Sequence, residues 1–429
     1  MNIDKTSLKK IKEIFKVIEE KVSPKGDYLK KIKEVTSTIS QRIKAKKINA
    51  DCFLGGSIGK GTEILGDFDC DIFLRFDKIY SEEEMQKLSR KILEPYKPDK
   101  LKGSREYYQF KKAGIYFEVV PVHKVKKNET SDNSSDYSVH HVAWVKAHKE
   151  FAQDIRVAKT FCKAQRVYGA ESYSNGISGY ALEILTIYYK GFINLLKNVS
   201  EWKERTIIDI EKKLEGSNPL IVLNKSKLGP LILIDPITPG RNAASAFSKE
   251  KYEKFKRVSK NFLKNPNIKY FDRIYLNEDL VKKKVHKKGF LTILFSQKPI
   301  KDPSQDKRGT RMHKQYLQIL NNIKKTDFEI IKSDWDWDTK GYAFFFLQFE
   351  DKLLSKETLI EGPPIKFEKF CKEFKIKYPD CYRKKGRLYC KIKRKYREPI
   401  SYIKEELLSK ALLENEIKIE KIFKKYELN

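Results

Sequence analysis

Gly55-Gly56-Ser57-Ile58-Gly59-Lys60-Gly61-Thr62, followed by Gly66-Asp67-Phe68-Asp69-Cys70-Asp71-Ile72-Phe73-Leu74, is the part of the chain on which the fold turns. The second stretch reads as a strand from Asp69 to Phe76. Successive side chains of a strand point to opposite faces, so Asp69 and Asp71 share one face and Cys70 and Ile72 take the other. Two carboxylates side by side in an otherwise apolar strand are costly unless something positive lies between them. A hard divalent ion answers that need, and magnesium (Mg2+) commonly takes carboxylate and substrate phosphate oxygens together. The first stretch follows a short strand near Asp51 to Leu54. Its glycines let the backbone approach a ligand closely, a helix starting there aims N–H groups at an anion, and Ser57 adds a hydroxyl donor. Strand, glycine loop, helix start and acid-bearing strand together suit in-line phosphoryl transfer with two metal ions.

Working outward, Leu8, Ile11, Phe15 and Ile18 fall at helical spacing until Ser23-Pro24-Lys25-Gly26 breaks the pattern. A second helix from Tyr28 to Lys46 carries Leu29, Ile32, Val35, Ile39 and Ile43 on one face. Strands at Glu106 to Phe110 and Ile115 to Val122 flank a Lys112-Ala113-Gly114 turn and read as a hairpin. The polar, serine-rich stretch from Asn128 to Ser138 reads as a linker. Helical spacing then dominates, with Phe151, Ile155, Ala158 and Phe161 on one helix and Tyr180, Ile184, Tyr188, Phe192 and Leu195 on another. After Asn265 the pattern mixes again. Phe290 to Phe295, Gly341 to Glu350 and Gly386 to Ile392 read as strands, and His313 to Lys325 as a helix. Trp335, Trp337 and the aromatic run from Tyr342 to Phe349 read as strand core, with RNA stacking as the other role open to them. The Lys393-Arg394-Lys395-Tyr396-Arg397 cluster is a candidate contact for an RNA backbone.

Composition bounds the partners. The 429 residues suffice for about two to four domains, and a 40% hydrophobic fraction is enough to build several cores. The 90 Lys and Arg against 58 Asp and Glu leave a formal charge of +32, spread along the chain. Such a surface suits a polyanion, because phosphates release condensed counterions when lysines replace them. Six cysteines with no CxxC pair read as reduced thiols of an intracellular protein. The first residues lack the apolar core of a signal peptide and no apolar run reaches membrane-spanning length, so the expectation is a soluble, cytoplasmic protein without a membrane partner.

A Gly-Ser pair followed about a dozen positions later by an acid-x-Asp strand resembles the nucleotidyltransferase superfamily of DNA polymerase beta. Glu118, in Phe117-Glu118-Val119-Val120-Pro121, matches the later strand that supplies the third carboxylate, where the family usually has Asp. The resemblance narrows to class I, archaeal-type CCA-adding tRNA nucleotidyltransferases. It is carried by His140-His141 with Trp144, Arg156-Val157-Ala158-Lys159, Val167-Tyr168-Gly169-Ala170-Glu171 and Gly176-Ile177-Ser178-Gly179-Tyr180 with Glu183. Asp235-Pro236 with Arg241-Asn242-Ala243-Ala244 extends it, and Gly362-Pro363-Pro364 and Gly386-Arg387-Leu388-Tyr389 are similar to the family's C-terminal tail.

What this resemblance implies is a multidomain α+β protein, with a polymerase beta-like head at 1–142 and a helical, nucleotide-binding neck at 143–270. An α/β body would be built from 271–330 and 395–429, and a tRNA-binding tail from 331–394. Asp69, Asp71 and Glu118 would hold Mg2+. Gly56, Ser57, Lys60, His140, Lys159 and Tyr168 would hold the triphosphate, and Arg241 would reach the edge of the incoming base. Lys60 stands where the family commonly has Arg, which keeps the charge and loses the bidentate fork. The implied reaction adds C, C and A to the 3′ end of tRNA from CTP and ATP and releases pyrophosphate; a homodimer is compatible with it. Two other readings stay open: a poly(A) polymerase or other terminal RNA transferase using the same head, and an RNA-binding protein whose head is inactive.

Overall fold

A computed structural model describes residues 3–103, 105–126, 129, 131, 133–285, 287–302, 304–339, 341–408 and 417–424. It separates into two compact units, 1–274 and 275–429.

The first unit opens with helices α1 (Lys5–Val22) and α2 (Tyr28–Ala45). Strand β1 (Ala50–Leu54), the short helix α3 (Gly56–Lys60), β2 (Cys70–Phe76), α4 (Glu82–Leu93), β3 (Asp99–Lys102), β4 (Glu106–Lys112) and β5 (Ile115–His123) complete a five-stranded sheet in the order β1-β2-β5-β4-β3. The expected hairpin is β4–β5. Its turn residues Ala113 (φ 51°) and Gly114 (φ 84°) both have positive φ, the handedness that matches the twist of paired strands. The two central strands, β2 and β5, run parallel, which places Asp71 directly beside Glu118.

One face of the sheet is covered. Cys70, Ile72, Leu74 and Phe76 of β2 and Phe117 and Val119 of β5 pack against Ile32, Val35, Ile39 and Ile43 of α2 and Met85, Ile92 and Leu93 of α4. The alternate residues, Asp71, Phe73 and Arg75, are left to the other face. α1 does not join this core. Its Ile11, Ile14, Ile18 and Val22 are buried with residues of the later helices.

Of the expected linker, residues 128, 130 and 132 lie outside the described residues; Ser134–Tyr137 makes a turn of 3-10 helix into α5 (Ser138–Lys146). α6 (Ala152–Ala164), α7 (Gly179–Tyr188) and α8 (Phe192–Val199) follow. The single helix expected from Tyr180 to Leu195 is therefore two helices. Lys190 and Gly191 both take positive φ, and the N–H of Phe192 caps onto Asp154 Oδ1 at 2.6 Å, which ends one helix and starts the next. A small parallel pair, β6 (Thr206–Ile208) and β7 (Leu231–Leu233), brackets the turn α9 (Pro219–Val222), and α10 (Lys249–Lys264) closes the unit.

The second unit holds the turn α11 (Glu278–Leu280), β8 (Phe290–Gln297), α12 (Gln305–Ile323), β9 (Lys332–Trp337) and β10 (Ala343–Glu350). Then come β11 (Glu357–Pro364), α13 (Glu368–Lys377), β12 (Tyr382–Lys384), β13 (Arg387–Lys393), the turn α14 (Pro399–Tyr402) and β14 (Ile417–Phe423). Two antiparallel sheets result, β14-β8-β10-β9 and β11-β13-β12. Trp335, Trp337, Phe345, Phe346 and Phe349 are buried, as strand core requires. In the basic cluster Arg394 pairs with Asp327, Lys395 with Glu406 at 2.5 Å, and Arg397 donates to the Leu354 carbonyl at 2.8 Å. Part of that cluster's charge is thus used internally. Residues 409–416 and 425–429, within the segment expected to complete the body, lie outside the described residues.

Candidate active site

β2 and β5 place Asp71 and Glu118 on the face of the first sheet opposite its helical core, and Asp69 immediately precedes β2. Asp71 and Glu118 are register partners, and Asp69 precedes Asp71 by one strand period. β4 adds Gln109 opposite Glu118, where Gln109 Nε2 donates to Glu118 Oε1 at 3.0 Å. Gly56 closes the other side. Its φ is 54°, and a Cβ there would overlap the Asp71 carboxylate. The glycine is thus required twice, for the backbone turn and for the acid behind it. The Gly55 N–H donates to the Asp71 carbonyl at 2.8 Å, stitching the loop to the strand.

The electrostatics of the trio follow from its packing. Burial, reinforced by Asp69, pushes the Asp71 carboxyl up to about 6 against the opposing pull of Lys60 and Lys159. Burial, with Asp71 and Asp69 next, pushes Glu118 up to about 7, while the Gln109 hydrogen bond pulls it down. Asp69, the most solvent-facing of the three, is raised by desolvation of its carboxyl and by Asp67, with Lys163 opposing. Asp69 raises Asp71, and both raise Glu118, so the acids form a like-charge row that binding of a cation relaxes. Among the described residues no three His, Cys, Asp or Glu side chains come together closely enough to hold a metal ion by themselves. A row of hard carboxylate oxygens suits a divalent cation that takes its remaining ligands from phosphate and water.

Behind the loop lies a buried charged cluster. Lys60 Nζ donates to Glu183 Oε2 at 2.8 Å and stands 4.8 Å above the Tyr180 ring. Lys159 Nζ donates to Glu183 Oε1 at 2.7 Å and to the hydroxyl and carbonyl of Thr62 at 2.9 and 3.1 Å. Burial pulls the Lys159 ammonium down while Glu183 opposes it. Burial also works against ionising Glu183, but Lys159 and Lys60 prevail and hold its carboxyl well below the usual range. Arg156 ties α6 to the same loop through the carbonyls of Gly61 at 2.8 Å and Glu63 at 3.2 Å. Tyr168 sits beside Gly179, with the Lys163 ammonium 5.1 Å from its ring centroid.

A second buried acid, Asp235, organises the neighbouring loop. Its Oδ1 accepts from the Tyr180 hydroxyl at 3.2 Å and the Ile237 N–H at 2.9 Å, and its Oδ2 accepts from Arg241 Nη1 at 2.7 Å. His141 Nε2 lies 3.3 Å from Oδ2 without well-aligned hydrogen-bond geometry, and the His141 ring packs on Tyr180 at 4.4 Å. Asp235 is fully buried, whereas the Arg241 side chain keeps 41% of its exposure, so one end is fixed and the other reaches solvent.

The structure therefore brings Asp71, Glu118 and Gly56 together on the central strands of the first sheet, with Asp69 just before β2 and Ser57 next to Gly56, and joins Lys60 to Lys159 through Glu183. His140 shares no hydrogen bond with that cluster among the described residues: its Nε2 is 2.7 Å from the Val125 carbonyl, pinning α5 to the exit of β5. Arg241 belongs to the Asp235 group, which meets the lysine cluster at Tyr180. Sequence reasoning assigned no role to Gln109, Thr62 or Glu183, and offered Asp235 only as the loop ion-pair partner of Arg241, a pair the structure contains. The signal for Gln109 was the hairpin register, which sets it opposite Glu118. For Glu183 it was an acid inside the apolar helical run from Ala181 to Ile187.

Two family models match the chain: "tRNA nucleotidyltransferase, second domain" over residues 153–272, and "CCA-adding enzyme, C-terminal domain" over 288–429. The chain is 34% identical to the CCA-adding enzyme of Nanoarchaeum equitans over 79% of its own length and 83% of the relative's. It is 29% identical to that of Methanocaldococcus jannaschii, over 83% and 80%. For Thermoplasma volcanium the identity is 32%, over 74% and 69%. Among solved structures, one described as "Structural Plasticity of Cid1 Provides a Basis for its RNA Terminal Uridylyl Transferase Activity" aligns with a TM-score of 0.50 at 11% identity. It covers 63% of this chain and all of that one, a likeness of fold.

Proposed function

The chain belongs to the CCA-adding enzyme family, template-independent tRNA nucleotidyltransferases, and we propose that the acid row of β2 and β5 is where C, C and A are joined to tRNA. The observation that carries this reading is the pairing of Asp71 with Glu118 on parallel strands, with Asp69 one period away and the Gly56 backbone pressed against Asp71. Asp69, Asp71 and Glu118 would hold divalent ions, magnesium in this reading. One such ion would lower the pKa of the terminal 3′ hydroxyl, and a second would neutralise charge on the departing pyrophosphate. Ser57 donates to the terminal phosphate, and Lys60, Lys159, His140 and Tyr168 bind and orient the triphosphate. Gln109 holds the longer Glu118 side chain in place. Arg241, fixed by Asp235, presents its outer N–H groups to the base. The substrates are CTP, ATP and tRNA lacking its 3′ end, the setting is cytoplasmic, and no helix among the described residues is long and apolar enough to cross a membrane. Domains 1–142, 143–270, 271–330 with 395–429, and 331–394 are the division proposed, except that β9 and β10 share a sheet with β8 and so belong with the body, with tRNA on the rest of the tail and a homodimer as the assembly to test.

The test is incubation of the protein with magnesium, tRNA ending at the discriminator base and each nucleotide alone. CTP should add two residues and stop, ATP should add one to tRNA ending in CC, and UTP and GTP should add little. A long homopolymer of A would instead favour the poly(A) polymerase reading, and absence of any incorporation would favour an inactive head.

A further inference from the structure

We propose that Glu183 is a positioning residue for nucleotide binding, holding the Lys60 and Lys159 ammonium groups and the Thr62 hydroxyl in one buried cluster beneath the glycine loop. The proposal rests on reading Lys60 as a triphosphate ligand, with Lys159, its donors engaged, supplying charge from behind the loop. α7 is buried from Ala181 to Ile187, and Glu183 itself is 1% exposed. An acid in that position is costly to bury unless every lone pair is used. Here both oxygens are. Oε2 accepts from Lys60 at 2.8 Å, and Oε1 accepts from Lys159 at 2.7 Å and from the Thr62 hydroxyl at 2.7 Å.

The donors come from different parts of the chain. Lys60 ends α3, Thr62 follows it, and Lys159 lies in α6, nearly a hundred residues later. One carboxylate therefore fixes the helices that follow the sheet against the loop that borders the acids. Lys159 has its three N–H donors on three acceptors, Glu183 Oε1 and the two Thr62 oxygens. Lys60 makes one hydrogen bond among the described residues, so donors remain for phosphate oxygens. Two ammonium groups against one carboxylate leave the cluster itself one positive charge in excess, facing the Asp71 carboxylate, on which both lysines also pull. A triphosphate neutralises that surplus. A packing anchor alone would not need it.

The experiment is steady-state nucleotide addition on tRNA lacking CCA, comparing wild type with Glu183→Gln and Glu183→Asp, and with Lys60→Met and Lys159→Met in parallel. Glu183→Gln should raise KM for CTP and ATP about tenfold or more, the equivalent of about 1.4 kcal/mol. KM for tRNA should stay within about twofold, and Glu183→Asp should recover part of the nucleotide affinity. Wild-type nucleotide KM in Glu183→Gln, with both lysine variants impaired, overturns the role of Glu183 and leaves the triphosphate reading standing. Wild-type values in the lysine variants as well overturn both. If Glu183→Gln does not fold, Thr62→Val removes one link and keeps all three charges. It should raise nucleotide KM several-fold without moving KM for tRNA, and an unchanged nucleotide KM there again overturns the proposal.

Discussion

Asp71 and Glu118 protonate more readily in the folded chain than in the unfolded one. Their folded pKa values of about 6 and about 7 lie above the ordinary 3.8 and 4.5. The folded state thus binds protons that the unfolded state releases, so these groups weaken folding progressively as pH rises from about 4 to about 7, and the full penalty stands above that range. Its size is on the order of a few kcal/mol for the pair. Asp71→Asn should therefore melt a few degrees above wild type at pH 8 in EDTA, with the gap closing by pH 4 and also on adding magnesium at pH 8. Melting curves at these conditions decide the matter: a gap independent of both pH and metal would mean that the acids are not a desolvated like-charge row. The same substitution, and Asp69→Ala, should remove nucleotide incorporation while leaving tRNA affinity close to wild type. Glu118→Gln should lose most activity and Glu118→Asp retain some. Full turnover in the glutamine variant would return Glu118 to the status of an ordinary strand acid.

Elements turn these residue properties into a site, and the glycine loop is the least replaceable of them. Gly56→Ala must force a side chain into the Asp71 carboxylate at a backbone angle that alanine rarely adopts. The expected outcome is near-complete loss of incorporation together with destabilisation of about 1–3 kcal/mol, read by activity and by denaturant midpoint on the same preparation. An active, stable Gly56→Ala would show that the loop stands off the acid strand. The Asp235 loop makes a parallel case. C and A present an acceptor at the Watson–Crick ring nitrogen where U and G carry an N–H, so a fixed guanidinium favours the first pair. Arg241→Ala should lower C and A addition and narrow the preference over UTP, whereas wild-type rates and selectivity would make Arg241 a loop ion pair only. These elements were unevenly legible in the sequence. The strands around the acids, both N-terminal helices and the β4–β5 hairpin follow from periodicity and turn chemistry. The break at Lys190-Gly191 was obscured because the apolar spacing continues across it. An amphipathic stripe also shows that α1 buries a face without showing against what: its partners α6 and α10 lie far along the chain. The boundary expected at 330/331 falls between strands that share a sheet, since β8 and β10 pair across it.

At the scale of the whole molecule, the sequence shows how much charge there is but not where it is committed. Local spacing located Asp69, Asp71 and the Gly-Ser loop because strand and turn rules act within a few residues. Glu183 and Asp235 were not legible as hubs, because each gathers partners separated by tens of residues, from Lys60 to Glu183 and from His141 to Asp235. Some of the 90 basic side chains are likewise engaged inside the fold, Lys60 and Lys159 with Glu183, Arg105 with Asp136, and Arg394 with Asp327. Most of the 90 basic side chains are left for solvent or for a polyanion, and the two alternatives differ in their response to salt. If several tRNA phosphates are neutralised on binding, log affinity falls linearly with log salt, by roughly 0.7–0.9 for each phosphate neutralised. A slope steeper than about −3 between 50 and 300 mM salt is expected for the whole chain with tRNA lacking CCA, measured by filter binding or anisotropy. Nucleotide affinity, set in the partly buried lysine cluster and screened less, should change much more gently over the same range. Replacing exposed lysines in small groups should reduce the tRNA slope stepwise, by about one unit for each phosphate that is no longer neutralised. A tRNA slope near zero would assign the lysines to solubility, and tRNA recognition by this chain would then have to rest on uncharged groups.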